Sequence, residues 1–371
     1  MSDTTILQQS SEGDSPANEI FVADPRLRPV VDVVTGWETH LPVDIASFKL
    51  DENLIEYEEG EHGRLAGPLP PRGPATGLVL HCGEIAAYWG TPDRADTAFS
   101  VTKGALSTLT GLALSRGLIG SLDDTVAASV DTVAFSEAPN GTVTWRHLLT
   151  MTSEWRGRLW GIPDSIDWNR AVPKRADAPK KGTPRPTFEP GGYWEFNDVR
   201  VNVLAFALTL LFRENLEDVF RREIMDPIGA SSDWRWHGYD TSSIEIDGKT
   251  VAVVAGGGHW GGGLIISAFD LARLALLHAR KGDWNGKTIL PQAWFQQVAV
   301  PTLLNPSFGL MWWTNAGGTI PGLSPDAIWG SGISNLVVAD SAKDLVVVLR
   351  WYDVAQRDDI LARISSALED G

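Results

Sequence analysis

Ser100 and Lys103 are the two residues whose types and spacing best suit catalysis. They lie three positions apart in residues 99–106, where an apolar pattern at helical spacing begins that includes Leu106 and Leu109. Residues three apart lie on the same face of a helix, so the sequence predicts that the serine hydroxyl and the lysine amine are in contact. Because Ser-x-x-Lys is a common tetrapeptide, the alternative interpretation is a solvated helix lysine.

A contact between serine and lysine offers a way to activate the hydroxyl group. A serine hydroxyl is a poor nucleophile at neutral pH and must give its proton to a neighbour as it attacks. Burial of Lys103, together with the positive end of the helix dipole, would disfavour the ammonium form and let the amine accept that proton. The pair of residues therefore indicates nucleophilic catalysis by Ser100.

The composition favours a globular protein that acts on a small molecule. The chain has 371 residues, 43% of them hydrophobic and 21% charged, which suits one large domain or two interleaved domains. A formal net charge of -16 argues against binding to nucleic acid or to an anionic membrane. No apolar run is long enough to span a bilayer, so no membrane partner is expected either.

Cysteine and histidine usage bears on metals and on the cell compartment. Cys82 is the only cysteine in the sequence, which excludes an intrachain disulfide and a multi-cysteine metal site. The histidines show no metal-ligand spacing, and we predict neither a metal nor a cofactor. Residues 1–19 lack the charged and apolar regions of a secretory signal, so they are predicted to be a flexible tail. Together these features favour the cytoplasm.

The elements that must hold the two residues follow from the hydrophobic pattern. A strand hairpin is predicted over residues 77–90, directly before the Ser100 helix, and Thr144 is a plausible N-cap of another helix. Further helices are predicted at 199–212, 216–225, 270–280 and 359–368. Strands are predicted at 250–255, 263–266, 309–314, 328–338 and 345–351.

This order of elements predicts an α+β protein with an interrupted sheet domain. Residues 20–110 and 245–371 would form the discontinuous α/β sheet domain. Residues 111–244 would form a mainly helical domain inserted between them. Within that insertion, residues 155–190 are rich in Pro, Lys, Arg, Asp and Trp without periodicity, and are predicted to be a long loop lining an active site.

Four further segments stand in a characteristic order after Ser100 and Lys103. They are Arg146-His147-Leu148-Leu149-Thr150-Met151-Thr152-Ser153, Pro190-Gly191-Gly192-Tyr193-Trp194-Glu195-Phe196-Asn197-Asp198, Gly257-Gly258-His259-Trp260-Gly261-Gly262-Gly263 and Ile328-Trp329-Gly330-Ser331-Gly332. With them, most of the chain after about residue 75 resembles the serine β-lactamase and penicillin-binding-protein superfamily, in its class C-like esterase and amidase branch. The resemblance implies a β-lactamase/transpeptidase-like fold, with a central antiparallel sheet flanked by helices.

The sequence departs from the family pattern at Phe196. The resemblance implies a tyrosine in a Tyr-x-Asn arrangement that works with the lysine as acid and base, and the matching triplet here is Phe196-Asn197-Asp198. Phenylalanine has no ionisable group, so the third member of the proton relay is missing. Three explanations are open. Phe196 is an introduced substitution, or it is natural and Lys103 acts alone, or Tyr193 supplies the missing phenol. Alternatively, Phe196 is a core residue of a protein without this activity.

The third family element, a Lys-Thr-Gly or His-x-Gly strand, is matched by Gly330-Ser331-Gly332 without its cation. The resemblance therefore implies substrates less anionic than β-lactams. The backbone amides of Ser100 and Ile333 are the predicted oxyanion hole. Gly332 would allow the strand to approach the bound acyl group closely.

Other residues in or beside these segments are candidate substrate contacts. Aromatic rings there would suit an apolar acyl or aryl group, although most tryptophans are simply core residues, and a structural role is the alternative for His259. The predicted substrate-binding residues are Trp155, Trp160, Tyr193, Trp194, Asp198, His259, Trp260, Trp329, Gly330, Ser331 and Gly332.

The leading hypothesis for the function is a serine hydrolase that forms an acyl-enzyme at Ser100 and cleaves an ester or amide bond. One alternative is an acyltransferase on the same scaffold, which passes the acyl group to an acceptor other than water. The other is a catalytically impaired binding protein, which the Phe196 departure favours.

Overall fold

The structure is a computed structural model that describes residues 19–48, 60–172 and 175–369. Its strands are β1 (Glu19–Val22), β2 (Thr76–His81), β3 (Glu84–Gly90), β4 (Asp96–Thr97), β5 (Arg158–Leu159), β6 (Ile162–Pro163), β7 (Arg235–His237), β8 (Ser243–Ile246), β9 (Lys249–Ala252), β10 (Gly263–Ile266), β11 (Asp283–Trp284), β12 (Lys287–Thr288), β13 (Trp313–Thr314), β14 (Ile328–Gly332), β15 (Asn335–Asp340) and β16 (Leu345–Arg350). Its α-helices are α1 (Arg28–Val34), α2 (Lys103–Ser115), α3 (Trp145–Leu149), α4 (Asp198–Phe212), α5 (Leu216–Phe220), α6 (Ala268–Ala279), α7 (Gln292–Val298) and α8 (Arg357–Glu369).

A seven-stranded antiparallel sheet lies at the centre of the fold, in the order β1-β3-β2-β16-β15-β14-β13. The predicted hairpin is confirmed as β2 and β3, which turn at Cys82 and Gly83 with φ of 54° and 79°, as a two-residue turn requires. Strand β16 pairs with β2, so that Thr76 lies opposite Arg350. Segments from both ends of the chain therefore form one sheet.

Helices cover both faces of this sheet. Alternate residues of β2 separate into two cores: Leu78 and Leu80 face the larger core, which includes α2, α4 and α6, whereas Val79 faces α1 and α8. The predicted C-terminal helix, which packs on the sheet, is confirmed as α8. These features confirm the predicted α+β class with a central antiparallel sheet flanked by helices.

Several predicted strands differ from the observed ones. Residues 328–338 form two strands, β14 and β15, because the chain turns at Ile333 and Ser334. Ser334 has a φ of 48°, and Nδ2 of Asn335 donates to the Ile333 carbonyl at 2.6 Å. Of residues 309–314, only Trp313 and Thr314 pair as a strand. The strand predicted over residues 250–255 is β9, which pairs with β8 outside the main sheet.

The helix predicted to carry Ser100 begins later than expected. A short 3₁₀ turn covers Phe99–Thr102, and α2 starts at Lys103. Helix α2 is buried along most of its length, and Gly104 and Gly111 allow Trp312 and Trp294 to approach its backbone closely. Ser100 thus lies in a turn that leads into a buried helix.

The other helices agree with the predicted pattern. Thr144 caps α3 by accepting from the His147 amide, and the helices predicted at 199–212 and 270–280 are α4 and α6. The helix predicted at 216–225 is α5 followed by a π-helical turn over Arg221–Met225.

Two predictions fall partly on residues that the structure does not describe. Residues 1–18 of the predicted tail lie outside the described residues, and its last residue, Glu19, is the first residue of β1. The predicted loop at 155–190 contains short elements, among them β5 and β6, and its residues 173 and 174 also lie outside the described residues. The division of the chain into a sheet domain and an inserted domain stays a prediction.

In the described part of the chain, no helix combines the length and the apolar character needed to cross a bilayer.

Candidate active site

Ser100 and Lys103 are in contact, as their spacing predicts. The Nζ atom of Lys103 donates a hydrogen bond to Oγ of Ser100 at 2.6 Å. Lys103 is 2% exposed, whereas Ser100 is only half-buried. A small molecule could therefore reach the hydroxyl group while the amine stays shielded from water.

The residue before the serine has a strained backbone. Phe99 has a φ of 48°, in the left-handed region that non-glycine residues rarely adopt. Its buried ring packs edge to face against Trp351, with the ring centroids 6.2 Å apart. Strain of this kind persists only where the surrounding packing enforces it, and it is common at functional sites.

Strand β14 approaches the serine at Gly332. A Cβ atom on Gly332 would lie 2.8 Å from the Ala98 carbonyl oxygen and 3.2 Å from the Ser100 amide nitrogen. Only glycine fits at this distance. Ile333 follows directly and packs against the small core cluster that contains Phe99. The role of the Ser100 and Ile333 amides as an oxyanion hole stays a prediction.

Part of the edge of β14 is open beside the serine. Strand β13 pairs with β14 only at Ile328 and Trp329. Among the described residues, Gly330, Ser331 and Gly332 consequently have no strand partner on that side. Cβ atoms on Gly330 and Gly332 would face residues 98–101. Because successive side chains along a strand point to opposite faces, the side chain of Ser331 points away from those residues.

A glycine-rich segment crosses the other side of the serine and lysine. The carbonyl oxygens of Gly256 and Gly257 accept hydrogen bonds from Lys103 and Ser100, each at 3.4 Å. A Cβ atom on Gly257 would lie 1.9 Å from the Phe99 carbonyl oxygen, so any residue other than glycine would push the two segments apart. The glycines of this predicted motif thus allow the segment to reach the site.

Phe196 lies beside the lysine, where the resemblance implies a tyrosine. The centroid of its ring is 4.9 Å from Nζ of Lys103, and the residue is 4% exposed. The ring also stacks on Trp313, with a centroid distance of 6.2 Å. Tyr193 instead stacks on Phe188 at 4.8 Å, and its described ring contacts do not include Lys103 or Ser100.

Asp198 contacts the lysine directly. Its Oδ1 atom forms an ion pair with Nζ of Lys103 at 2.7 Å, and its Oδ2 atom accepts a hydrogen bond from Arg170. Asp198 is the first residue of α4, and its backbone amide donates to Oδ2 of Asp167 at 2.7 Å. The start of the helix therefore fixes the carboxylate next to Lys103.

Asp167 extends this buried charge cluster. Its carboxylate accepts from Nε2 of His259 at 3.1 Å and pairs with Nζ of Lys181 at 2.8 Å. Atoms of Asp167, Asp198 and His259 also lie within 4.8 Å of one another, a spacing that suits a metal ion. However, three cationic side chains already contact the two carboxylates, so we assign none of the three residues as a metal ligand.

Burial and pairing shift the pKa values in this cluster. Burial lowers the pKa of Lys103 below its usual 10.5; Asp198 opposes this shift and Arg170 adds to it. Burial alone would raise the pKa of Asp198, but the charges of Arg170 and Lys103 outweigh it and hold the pKa well below 3.8. Burial also lowers the pKa of Lys181 to about 8, against the pull of Asp198. The site therefore favours an ionised aspartate, and burial makes Lys103 easier to deprotonate than an exposed lysine.

The predicted tryptophans occupy different surroundings. Trp194 is half-buried and contacts Phe196, with centroids 6.4 Å apart, so it lies one ring away from Lys103. Trp260 packs against the ring of His259 at 5.4 Å, and Trp160 packs against Tyr239 at 5.9 Å.

Two other tryptophans fit a structural role better than substrate binding. Trp155 is 3% exposed, and its indole nitrogen donates to the Ala134 carbonyl at 2.9 Å. Trp329 is buried and stacks on the far side of Trp313, which separates it from Phe196. We therefore do not include these two in the proposed substrate site.

A second buried charge cluster fixes the loop of residues 155–190. Arg200 of α4 pairs with Glu154 at 2.8 Å and with Asp164 at 3.0 Å. Arg185 donates to Glu195 at 2.7 Å and also pairs with Glu154. Because this loop carries Asp167, Arg170 and Lys181, these ion pairs also hold the first cluster in place.

Comparisons with known proteins agree with the fold described above. A family model described as Beta-lactamase matches residues 75–362, whereas a search of curated proteins finds no significant match. A penicillin-binding protein homologue from Caulobacter crescentus superposes with a TM-score of 0.60 at 15% identity, over 94% of this chain and 100% of that one. A family VIII carboxylesterase superposes with a TM-score of 0.59 at 16% identity, over 94% of this chain and 100% of that one.

EstCE1, described as a hydrolase with promiscuous acyltransferase activity, superposes with a TM-score of 0.55 at 16% identity, over 79% of this chain and 93% of that one. At such identities the solved structures show a shared fold alone. They confirm the predicted β-lactamase/transpeptidase-like fold.

Proposed function

Because this chain belongs to the beta-lactamase family, we propose that it is a serine hydrolase that cleaves an ester or amide bond of a small molecule. The observation that carries the proposal is the 2.6 Å contact between Nζ of a buried lysine, Lys103, and Oγ of a half-exposed serine, Ser100. This pair can activate the nucleophile, because a neutral lysine amine can accept the proton of the serine.

The proposed reaction has two stages. Oγ of Ser100 attacks the carbonyl carbon and gives its proton to Nζ of Lys103. The amides of Ser100 and Ile333 stabilise the oxyanion, and Lys103 returns the proton to the leaving alcohol or amine as its bond to the carbonyl carbon breaks. Water then attacks the acyl-enzyme in the same way, which releases the acid and restores Ser100.

The surroundings of the lysine support an apolar substrate. Phe196, Trp194, Trp313 and Phe308 form one aromatic cluster beside Lys103, and Gly330 contributes no cation where the family has one. Aromatic side chains suit acyl or aryl groups with little charge. We therefore propose uncharged short-chain or aryl esters as the substrate class. From the net negative charge, we also propose that the protein has no nucleic-acid or membrane partner. A cytoplasmic location stays a prediction from the sequence.

Specific observations also support the two alternative functions. EstCE1, a structural neighbour, is described as having acyltransferase activity, so transfer to an added alcohol or amine is a second candidate. The absence of an ionisable group at Phe196, whose ring contacts Lys103, supports a binding protein with impaired turnover. Product analysis with and without added alcohol separates the first alternative from hydrolysis.

Labelling with a fluorophosphonate probe tests the proposal. We expect intact-mass and peptide mapping to show one adduct on Ser100, none in Ser100→Ala, and labelling about 10²- to 10⁴-fold slower in Lys103→Ala. Ser115→Ala, at the far end of α2, is the matched control and should label like the unmodified protein. Labelling that persists in Ser100→Ala, or hydrolysis of no ester in a broad panel, would contradict the proposal.

A further inference from the structure

The carboxylate of Asp198 lies between two cationic side chains. Its Oδ1 atom is 2.7 Å from Nζ of Lys103, and its Oδ2 atom accepts a hydrogen bond from Arg170. Lys103 and Asp198 are buried, whereas the side chain of Arg170 is partly exposed. One negative charge is thus shared by two positive charges.

The two cations differ in whether they can lose a proton. An arginine keeps its charge at any pH at which the protein is folded, whereas a buried lysine can become neutral. When Lys103 is neutral, Arg170 still compensates the buried carboxylate of Asp198. The lysine can therefore give up its proton without leaving a buried negative charge unpaired, which would be costly.

We propose that Asp198 and Arg170 are positioning residues that together set the protonation state in which Lys103 receives the proton of Ser100. This inference rests on the hydrolase function proposed above. Asp198 favours the ammonium form of the lysine, and Arg170 favours the neutral amine. The family resemblance does not imply this arrangement, because it places an asparagine where Asp198 lies and implies no arginine.

The backbone segments beside Lys103 add no further charge. Residues 256–258 and the facing residues of β14 bring no ionisable side chain. Beyond Asp198, the cluster holds Asp167, which is paired with Lys181 and His259. The pKa directions agree with the geometry: burial lowers the pKa of Lys103, Asp198 raises it, and Arg170 lowers it.

The pH dependence of fluorophosphonate labelling tests this proposal. In that reaction Oγ of Ser100 forms a bond to phosphorus, fluoride leaves, and the serine proton passes to Lys103. The rate should therefore rise with pH as Lys103 becomes neutral. We expect Asp198→Asn to shift the midpoint of this rise to lower pH and Arg170→Gln to shift it to higher pH, each by about 1 to 3 pH units.

Arg116→Gln is the matched control, because it removes an arginine charge at the far end of α2, where Arg116 pairs with Glu223 and not with Asp198, and it should keep the midpoint of the unmodified protein. A purely structural role would lower the labelling rate in both variants without moving the midpoints in opposite directions. If Asp198→Asn fails to fold, the comparison of Arg170→Gln with Arg116→Gln still decides.

The failure of this inference differs from the failure of the proposed function. If Ser100 is labelled in the unmodified protein but the midpoints stay unchanged or move in the same direction, the inference is overturned. If Ser100 is not labelled at any pH, the hydrolase function itself fails.

Discussion

The Nζ atom of Lys103 lies 4.9 Å from the centroid of the Phe196 ring. A cation over an aromatic face is attracted by about 0.5 to 2 kcal/mol, so the ring favours the ammonium form of the lysine, whereas burial and Arg170 oppose it. The ring cannot, however, give or accept a proton. Phe196 therefore helps to position Lys103 but takes no part in proton transfer.

We expect Phe196→Tyr to accelerate release of the acyl-enzyme. A phenol in this place can assist protonation of the leaving group and deprotonation of the attacking water, and such general acid–base help is worth about 10²- to 10⁴-fold. Burst kinetics and mass spectrometry should show a long-lived adduct in the unmodified protein and faster turnover in the variant. Phe196→Leu, which removes the ring without adding a hydroxyl, is the control. Equal or lower turnover in Phe196→Tyr would indicate another base, with Tyr193 the next residue to mutate.

Ordinary β-lactams should be poorer substrates than short-chain esters. The reason is the missing cation at Gly330, which leaves no lysine or histidine on β14 to bind a substrate carboxylate. A spectrophotometric comparison of a cephalosporin with p-nitrophenyl acetate measures the difference in kcat/KM. A higher value for the cephalosporin would show that another cation, with Arg170 the first to examine, binds the carboxylate.

Gly332→Ala should damage both stability and labelling. The added methyl group would lie 2.8 Å from the Ala98 carbonyl oxygen and 2.9 Å from Cβ of Phe99, so the strand or the serine turn must shift. Overpacking of this kind costs about 1 to 3 kcal/mol. Thermal unfolding and the rate of Ser100 labelling measure the two effects. Gly317→Ala, where a methyl group meets no atom closer than 3.9 Å, is the control, and equal behaviour of the two variants would refute the close approach.

The second charge cluster, which contains Glu154, should make the free energy of unfolding depend on pH in acidic solution. Burial alone would raise the pKa of Glu154, but Arg185 and Arg200 outweigh it and hold the pKa below 4.5. A carboxyl group with a lowered pKa in the folded state contributes stability above its unfolded pKa, and this contribution is lost as the pH falls below about 4.5. Urea unfolding between about pH 6 and pH 3 should therefore show a steep loss of stability that Glu154→Gln makes shallower. An unchanged slope would assign the acid sensitivity to other groups.

Regular elements were predictable because their patterns repeat. The hairpin of β2 and β3 and the helices α4, α6 and α8 follow from alternation or helical spacing in the sequence. The turn between β14 and β15 was missed because Ile333 and Ser334 carry no glycine, proline or asparagine signal. Their turn depends on contacts from Asn335 and Trp351, which the local sequence does not reveal.

The candidate site was only partly predictable for the same physical reason. The contact of Ser100 with Lys103 is local, so their spacing was sufficient. Asp167, Arg170 and Lys181 lie in a loop without periodicity, and their approach to Asp198 depends on the tertiary path of that loop. The only sequence signal was an unusual density of Asp, Lys and Arg in residues 155–190.

The pairing of β16 with β2 determines when the protein can fold during its synthesis. Leu78 and Leu80 emerge from the ribosome early, yet their partners on β16 follow only after all residues between β3 and β16. At bacterial and eukaryotic elongation rates this delay is roughly 10 to 50 seconds. Throughout it the nascent hairpin presents an unpaired apolar edge, a feature that promotes aggregation and attracts chaperones. Ribosome-bound chains that end before Leu345 should accordingly be protease-sensitive and lack the nucleophilic site, however stable the finished protein is.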